Sequence, residues 1–134
     1  MSSTSSALPL VKMLTLRDGM RVWFDGMPEA VIDEIDEYAL ELYFVVNPSE
    51  GIDAAHIFVT EQVGLAQRLA LLRQQIAPEG QIWVSWPDAS SGSAGTMDAD
   101  TIRSVATPLG LIDTKTCAIE GWDSLKLVIR KELR

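Results

Sequence analysis

The chain carries one histidine, His56, and one cysteine, Cys117, so few kinds of side-chain chemistry are open to it. His56 could act as a general base, and the two residues together could form a nucleophile and its base. A single cysteine cannot close an intramolecular disulfide. One histidine and one cysteine also supply too few ligands for a tetrahedral cysteine–histidine zinc site or a two-histidine iron site. Catalysis by either residue therefore depends on where the elements of the chain place it.

The composition indicates one acidic domain. With 134 residues, of which 47% are hydrophobic, the chain is long enough for one buried core. Its formal net charge of −8 argues against nucleic acid or a membrane surface as a partner, because either would need clustered Lys and Arg. No apolar run approaches the ~20 residues of a membrane helix, and residues 1–7 lack the pattern of a secretory signal. We expect a disordered tail over residues 1–7 and a single cytoplasmic domain over residues 8–134.

Short apolar runs alternate with amphipathic segments along the sequence. The clearest helix is opened by Glu61 and ended by Pro78-Glu79-Gly80, and its apolar stripe is formed by Leu65, Leu69, Leu72 and Ile76. Other helices are predicted over residues 8–16 and 29–37, with a further helix that is capped by Thr96 or Asp98 and ends at Gly110. Strands are predicted over residues 20–24, 39–46, 52–60, 81–86, 111–119 and 125–131.

This alternation predicts an α/β fold with three layers and a mostly parallel, Rossmann-like sheet. We expect the strand order 2-1-3-4-6-5, with an antiparallel hairpin at the C-terminal end. The order reverses between strands 1 and 3, and a ligand would bind there, outside the carboxyl ends of the strands. The candidate binding residues at this edge are Asp25, Gly26, Met27, Asn47, Thr60, Glu61, Trp86 and Asp88.

Neither His56 nor Cys117 falls at that edge. His56 lies within strand 3, so we expect a hydrogen-bonded core histidine rather than a general base. Strands 4 and 6 separate it from Cys117, which we interpret as a small buried apolar residue. No catalytic and no metal-binding residue is therefore predicted.

Two features near the end of strand 4 have both a functional and a structural interpretation. The Ser/Gly segment over residues 88–96 could cradle an anion or act as a lid, but it lacks the lysine of a phosphate-binding loop, so a mobile crossover is favoured. Trp86 could stack on a planar ligand, although packing in the core is the better interpretation.

Several motifs resemble class I S-adenosylmethionine-dependent methyltransferases. Residues 76–87 (IAPEGQIWVSWP) are similar to the helix, Pro-x-Gly turn and strand near the middle of that fold, and residues 109–131 resemble its terminal hairpin. The chain further resembles a short bacterial family of methyltransferase-like domains of unknown function. The motifs that carry this likeness are LRDGMRV at 16–22, Met27-Pro28, HIFVT at 56–60, WVSWP at 83–87 and CAIEGWDSLKLVIRK at 117–131. The resemblance implies a methyltransferase-type sheet.

The chain departs from this pattern where the cofactor would bind. Methyltransferases place a G-x-G-x-G turn after strand 1 and an acid after strand 2 that holds the ribose hydroxyls. Here strand 1 leads to Asp25-Gly26-Met27-Pro28, and strand 2 is followed by Asn47-Pro48 with no acid before Glu50. Asp88 also stands where the small family tends to have lysine.

The leading hypothesis is thus a non-catalytic or vestigial methyltransferase-like domain that binds a small molecule or a protein and takes no cofactor. The alternative is an active S-adenosylmethionine-dependent methyltransferase with an atypical cofactor loop, in which Asp25 takes the place of the early acid. A third hypothesis is a purely structural subunit, which would need an exposed apolar patch. The identity of the ligand or partner and the oligomeric state stay open at this point.

Overall fold

The computed structural model describes residues 9–38, 40–88, 97–119 and 121–134. Its helices are α1 (Leu10–Met13), α2 (Glu29–Asp36), α3 (Leu65–Gln75) and α4 (Ala99–Ala106). Its strands are β1 (Arg21–Asp25), β2 (Tyr43–Phe44), β3 (Ile52–Phe58), β4 (Ile76–Pro87), β5 (Leu111–Ile119) and β6 (Trp122–Ile129). Short 3-10 turns lie at Pro48–Glu50, Thr107–Leu109 and Lys131–Leu133.

The six strands form one sheet in the order β2-β1-β3-β4-β6-β5. β1 pairs in parallel with β2 and β3, and β3 pairs in parallel with β4. β6 runs antiparallel between β4 and β5. The predicted α/β class, strand order and C-terminal hairpin are confirmed. The predicted tail over residues 1–7 and positions 89–96 of the predicted loop lie outside the described residues.

Two apolar cores cover the two faces of this sheet. On one face α3 and α4 pack on β3, β4 and β6, and the predicted stripe of Leu65, Leu69, Leu72 and Ile76 is buried there. On the other face α1 and α2 pack on β1 and the centre of the sheet, with Leu14, Ile35 and Trp83 among the buried residues. Each core buries enough side chains to hold its helices against the sheet, which gives the three layers. No helix in the described part of the chain is long and apolar enough to cross a membrane.

Several predicted boundaries were wrong, and backbone geometry explains two of them. α3 begins at Leu65 rather than at Glu61, because Gly64 at its N-cap has a left-handed φ of 80° that a helix cannot continue through. Of residues 40–46, only Tyr43–Phe44 form strand, and Leu42 N–H turns back to Leu40 O at 3.1 Å. β6 begins at Trp122, so this tryptophan lies in the hairpin strand and not in its turn.

The turn predicted at Pro78-Glu79-Gly80 is instead part of β4, which begins at Ile76. The pairing of β3 with β4 shifts register between Ile52 and Ala54, next to this segment. A Cβ atom at Gly80 would stand 2.8 Å from the carbonyl oxygen of Asp53. The glycine is therefore needed for the close approach of two strands, and it does not end a helix.

Candidate functional site

The turn after β1 lies at the carboxyl edge of the sheet, where the strand order reverses. Asp25 ends β1, and its carboxylate accepts a hydrogen bond from the guanidinium of Arg68 in an ion pair. Arg68 belongs to the first turn of α3, which follows β3 in the chain. The ion pair therefore bridges the segments that follow β1 and β3, across the predicted binding edge.

Gly26 and Met27 turn the chain away from that edge. Gly26 has a φ of 75°, and a Cβ atom there would contact the Cβ and carbonyl oxygen of Phe58 at 3.5 Å. Met27 is buried in the core beneath α1 and α2. Glycine suits this turn because it adopts a left-handed φ without a steric cost. Met27 contributes to packing and presents little surface to a ligand.

The other predicted site residues are dispersed. Thr60 and Glu61 are exposed in the segment after β3, so with Asp25 and Gly26 they make up the carboxyl edge. Asn47 caps the 3-10 turn after β2, where its side chain accepts the Ser49 N–H at 3.0 Å. Asp88 is half-buried, and its backbone N–H donates to the Gly121 carbonyl at 3.1 Å.

Trp86 is 8% exposed and packs in the core formed with α3 and α4. Most of its ring surface is therefore taken up by core packing, as the sequence interpretation favoured.

Sequence reasoning missed Arg68, which is not part of the apolar stripe predicted for this helix. It also missed two valines at the same edge. Val46 follows β2 and is 91% exposed, and Val63 follows β3 and is 85% exposed. Val46 gave no signal, because it ends the apolar run of residues 42–46, which predicts a buried strand. Val63 lies between Gln62 and Gly64 and outside the apolar stripe, and that position was the available signal.

His56 is a buried, hydrogen-bonded core histidine, as predicted. Its Nε2 lies 2.6 Å from Ser85 Oγ, and its ring stacks on Phe58 with centroids 4.5 Å apart. Burial lowers the pKa of His56 from 6.5 to about 3, so the ring is neutral at physiological pH. A neutral, enclosed imidazole has no access to a substrate.

Two serines connect the strands that separate His56 from Cys117. Ser85 Oγ lies 2.6 Å from Ser124 Oγ, and Cys117 is the cross-strand partner of Ser124. Cys117 is half-buried rather than fully buried, which corrects the prediction, and burial raises the pKa of its thiol. His56 and Cys117 thus occupy one polar row across four strands, with the two serines between them.

No protein-family model matches the sequence, and no curated protein matches it. Solved structures do resemble it. The PH0226 protein from Pyrococcus horikoshii has a TM-score of 0.55 and 12% identity, over 91% of this chain and 86% of that one. The CcbJ methyltransferase from Streptomyces caelestis has a TM-score of 0.55 and 8% identity, over 87% of this chain and 86% of that one.

A TehB-like SAM-dependent methyltransferase from Corynebacterium glutamicum is similar as well, with a TM-score of 0.51 and 11% identity. That likeness covers 87% of this chain and 83% of the other. The chain therefore has a Rossmann-like, methyltransferase-like fold. At these identities the likeness establishes the fold and leaves the activity to be argued from the site.

Proposed function

We propose that this chain is a non-catalytic methyltransferase-like domain. In this proposal it binds a partner protein, or a small ligand other than S-adenosylmethionine, at the carboxyl edge of β1 and β3. The observation that carries the proposal is the ion pair between Asp25 and Arg68. Asp25 is the acid at the turn after β1, where the fold would place its cofactor. Because Arg68 already neutralises this carboxylate, the hydroxyl or amino groups of a cofactor would have to compete with the guanidinium for it.

The end of β2 supports the same conclusion. A methyltransferase of this fold uses an acid after strand 2 for the ribose hydroxyls. Here Asn47 occupies that place, and its side-chain oxygen is engaged by the Ser49 N–H. The first acid, Glu50, lies at the end of the 3-10 turn. The residues of this edge therefore do not fit the cofactor.

The exposed valines support binding of another molecule at this edge. Val46 follows β2 and Val63 follows β3, the two strands on either side of β1, and both side chains are exposed. Exposed apolar side chains at an edge that also carries a charged pair resemble the mixed surface of a protein interface more than a cofactor pocket. If that partner also covered the ion pair, the lower local dielectric would strengthen the Coulomb attraction between Asp25 and Arg68.

Calorimetric titration with S-adenosylmethionine and with S-adenosylhomocysteine is expected to show no saturable binding. The reason is that Arg68 already neutralises Asp25 and that no acid follows β2 directly. Micromolar affinity for either compound would contradict the proposal. Native mass spectrometry of the purified chain is the companion measurement, because a retained molecule other than these two would identify the ligand class directly.

The second candidate is an active methyltransferase with an atypical cofactor loop. It is favoured by Gly26, whose left-handed φ of 75° provides the sharp turn that close approach of a cofactor needs. It predicts that Asp25→Ala abolishes methyl transfer while the thermal unfolding midpoint stays nearly unchanged, since the ion pair is half-exposed and contributes about 1 kcal/mol or less. The matched control is Glu132→Ala, which removes an acid that pairs with Arg130 after the end of β6, at the opposite edge of the sheet. Methyl transfer that survives in Asp25→Ala would eliminate this candidate.

A further inference from the structure

A cleft lies at the opposite edge of the sheet from Asp25 and Arg68, near the amino ends of the parallel strands. It has a volume of about 400 Å³ and lies between the end of α1, the start of β4 and the end of β6. We refer to it as the cation cleft, and it is lined by Lys12, Thr15, Leu16, Arg17, Glu79, Gln81, Lys126 and Val128. A larger cavity of about 690 Å³ adjoins it and shares Arg17 and Glu79.

Positive charge converges on this cleft although the chain as a whole is acidic. Lys12, Arg17 and Lys126 line it, and Lys115 is the cross-strand partner of Lys126 in the β5–β6 pairing. These are four of the 11 Lys and Arg residues of a chain whose net charge is −8. Among the described residues, none of the four forms an ion pair. Glu79 is the one acid among the lining residues.

The pairing of Lys115 with Lys126 is unfavourable in the absence of a counter-charge. Like charges placed directly opposite each other on neighbouring strands destabilise a sheet. Burial, together with the charges of Lys115 and Arg17, lowers the pKa of Lys126. A bound anion would relieve this repulsion and raise that pKa again.

The floor of the cleft is held rigidly. Thr15 has a φ of 53°, a conformation that β-branched residues rarely adopt. Its hydroxyl donates to Gln81 Oε1 at 2.6 Å, and Gln81 Nε2 donates to the Leu14 carbonyl at 2.8 Å. Backbone strain that is held in place by surrounding hydrogen bonds is typical of binding sites.

We propose that the cation cleft binds a small anion with two or more negative charges, of the phosphoryl or polycarboxylate kind. Among the described residues, the three cations that line this cavity outnumber its single acid, Glu79, by two charges, which matches an anion with two or more negative charges. The cleft and the carboxyl edge lie at opposite ends of the strands. This inference therefore goes beyond the proposed function, and each can fail independently of the other.

The test is calorimetric titration of the chain with sodium pyrophosphate and, separately, with sodium citrate, at constant ionic strength set by sodium chloride. Saturable binding of at least one of them is expected, and the tighter of the two identifies the phosphoryl or the polycarboxylate source. Lys126→Gln is expected to weaken that binding by about tenfold or more, because it removes a charge-assisted contact. Lys131→Gln makes the same change of charge outside the cleft and is expected to leave the affinity unchanged.

Two results would overturn the inference. One is the absence of saturable binding of both pyrophosphate and citrate to the wild-type chain. The other is an equal loss of affinity in Lys126→Gln and Lys131→Gln, which would indicate attraction to the charge of the chain rather than to a site. Far-UV circular dichroism checks that both variants fold. If Lys126→Gln does not fold, Lys12→Gln provides a second variant of the cleft.

Discussion

Lowering the pH from 7 to 4 is expected to reduce the free energy of unfolding by about 3 kcal/mol through His56 alone. The folded state lowers the pKa of this histidine to about 3, while the unfolded chain keeps a value near 6.5. Below pH 6.5 the unfolded chain therefore binds a proton that the folded chain does not, and stability is lost progressively toward pH 3. Each pH unit in this window costs up to ~1.4 kcal/mol. Urea unfolding at pH 7, 6, 5 and 4 measures the effect.

The matched variant for this prediction is His56→Gln, which keeps a polar side chain beside Ser85 Oγ but does not titrate. Its stability at pH 7 is expected to fall because the ring contact with Phe58 is lost. Its decline between pH 6.5 and 4 is expected to be shallower than that of the wild-type chain by about 3 kcal/mol. Carboxylates contribute equally to both proteins, so the difference isolates the histidine. Equal slopes would contradict the prediction, because they would show that His56 binds its proton over the same pH range in the folded and the unfolded chain.

Trp83→Ala is expected to destabilise the fold by about 3–5 kcal/mol. The Trp83 side chain is 1% exposed and lies at the centre of the core beneath α1 and α2. Its Nε1–H also donates to the Leu14 carbonyl at 2.9 Å, which ties the end of α1 to β4. The free energy of unfolding from urea titration measures the loss.

The control, Trp83→Phe, keeps an aromatic ring in this core and removes the hydrogen bond. Leu14 O would remain satisfied by Gln81 Nε2, so this variant is expected to cost about 1–2 kcal/mol. If Trp83→Phe were as destabilising as Trp83→Ala, the hydrogen bond rather than the packing would hold α1 to the sheet.

The fold could be predicted from sequence because it depends on patterns that repeat along the chain. The apolar stripe of α3 and the alternation of strands with helices leave few topologies, and the strand order followed from them. Gly80 shows where this reasoning ends. The tripeptide Pro78-Glu79-Gly80 has the composition of a turn. The role of Gly80 is instead determined by the carbonyl of Asp53 on a neighbouring strand. A contact between residues far apart in the chain leaves no local signal.

The candidate site could be predicted only in part, for the same reason. Topology placed Asp25 at the carboxyl edge, because the position of a strand end follows from the strand order. The contact of Asp25 with Arg68 depends on which way a long side chain on α3 extends. The cation cleft could not be predicted from the sequence, because Lys12, Arg17 and Lys126 come together only when α1 packs beside β6.

The shortness of β2 bears on how this chain behaves at high concentration. β2 is one of the two outer strands of the sheet, the other being β5, and its two residues, Tyr43–Phe44, are both exposed. A long apolar edge strand would offer a template for open-ended association between copies, whereas a strand of two residues offers too few backbone groups for that. Glu41 and Glu50 lie on either side of it and repel a second copy of an acidic chain. The β2 edge of the sheet is therefore protected from aggregation, although the side chains of Tyr43 and Phe44 are exposed there.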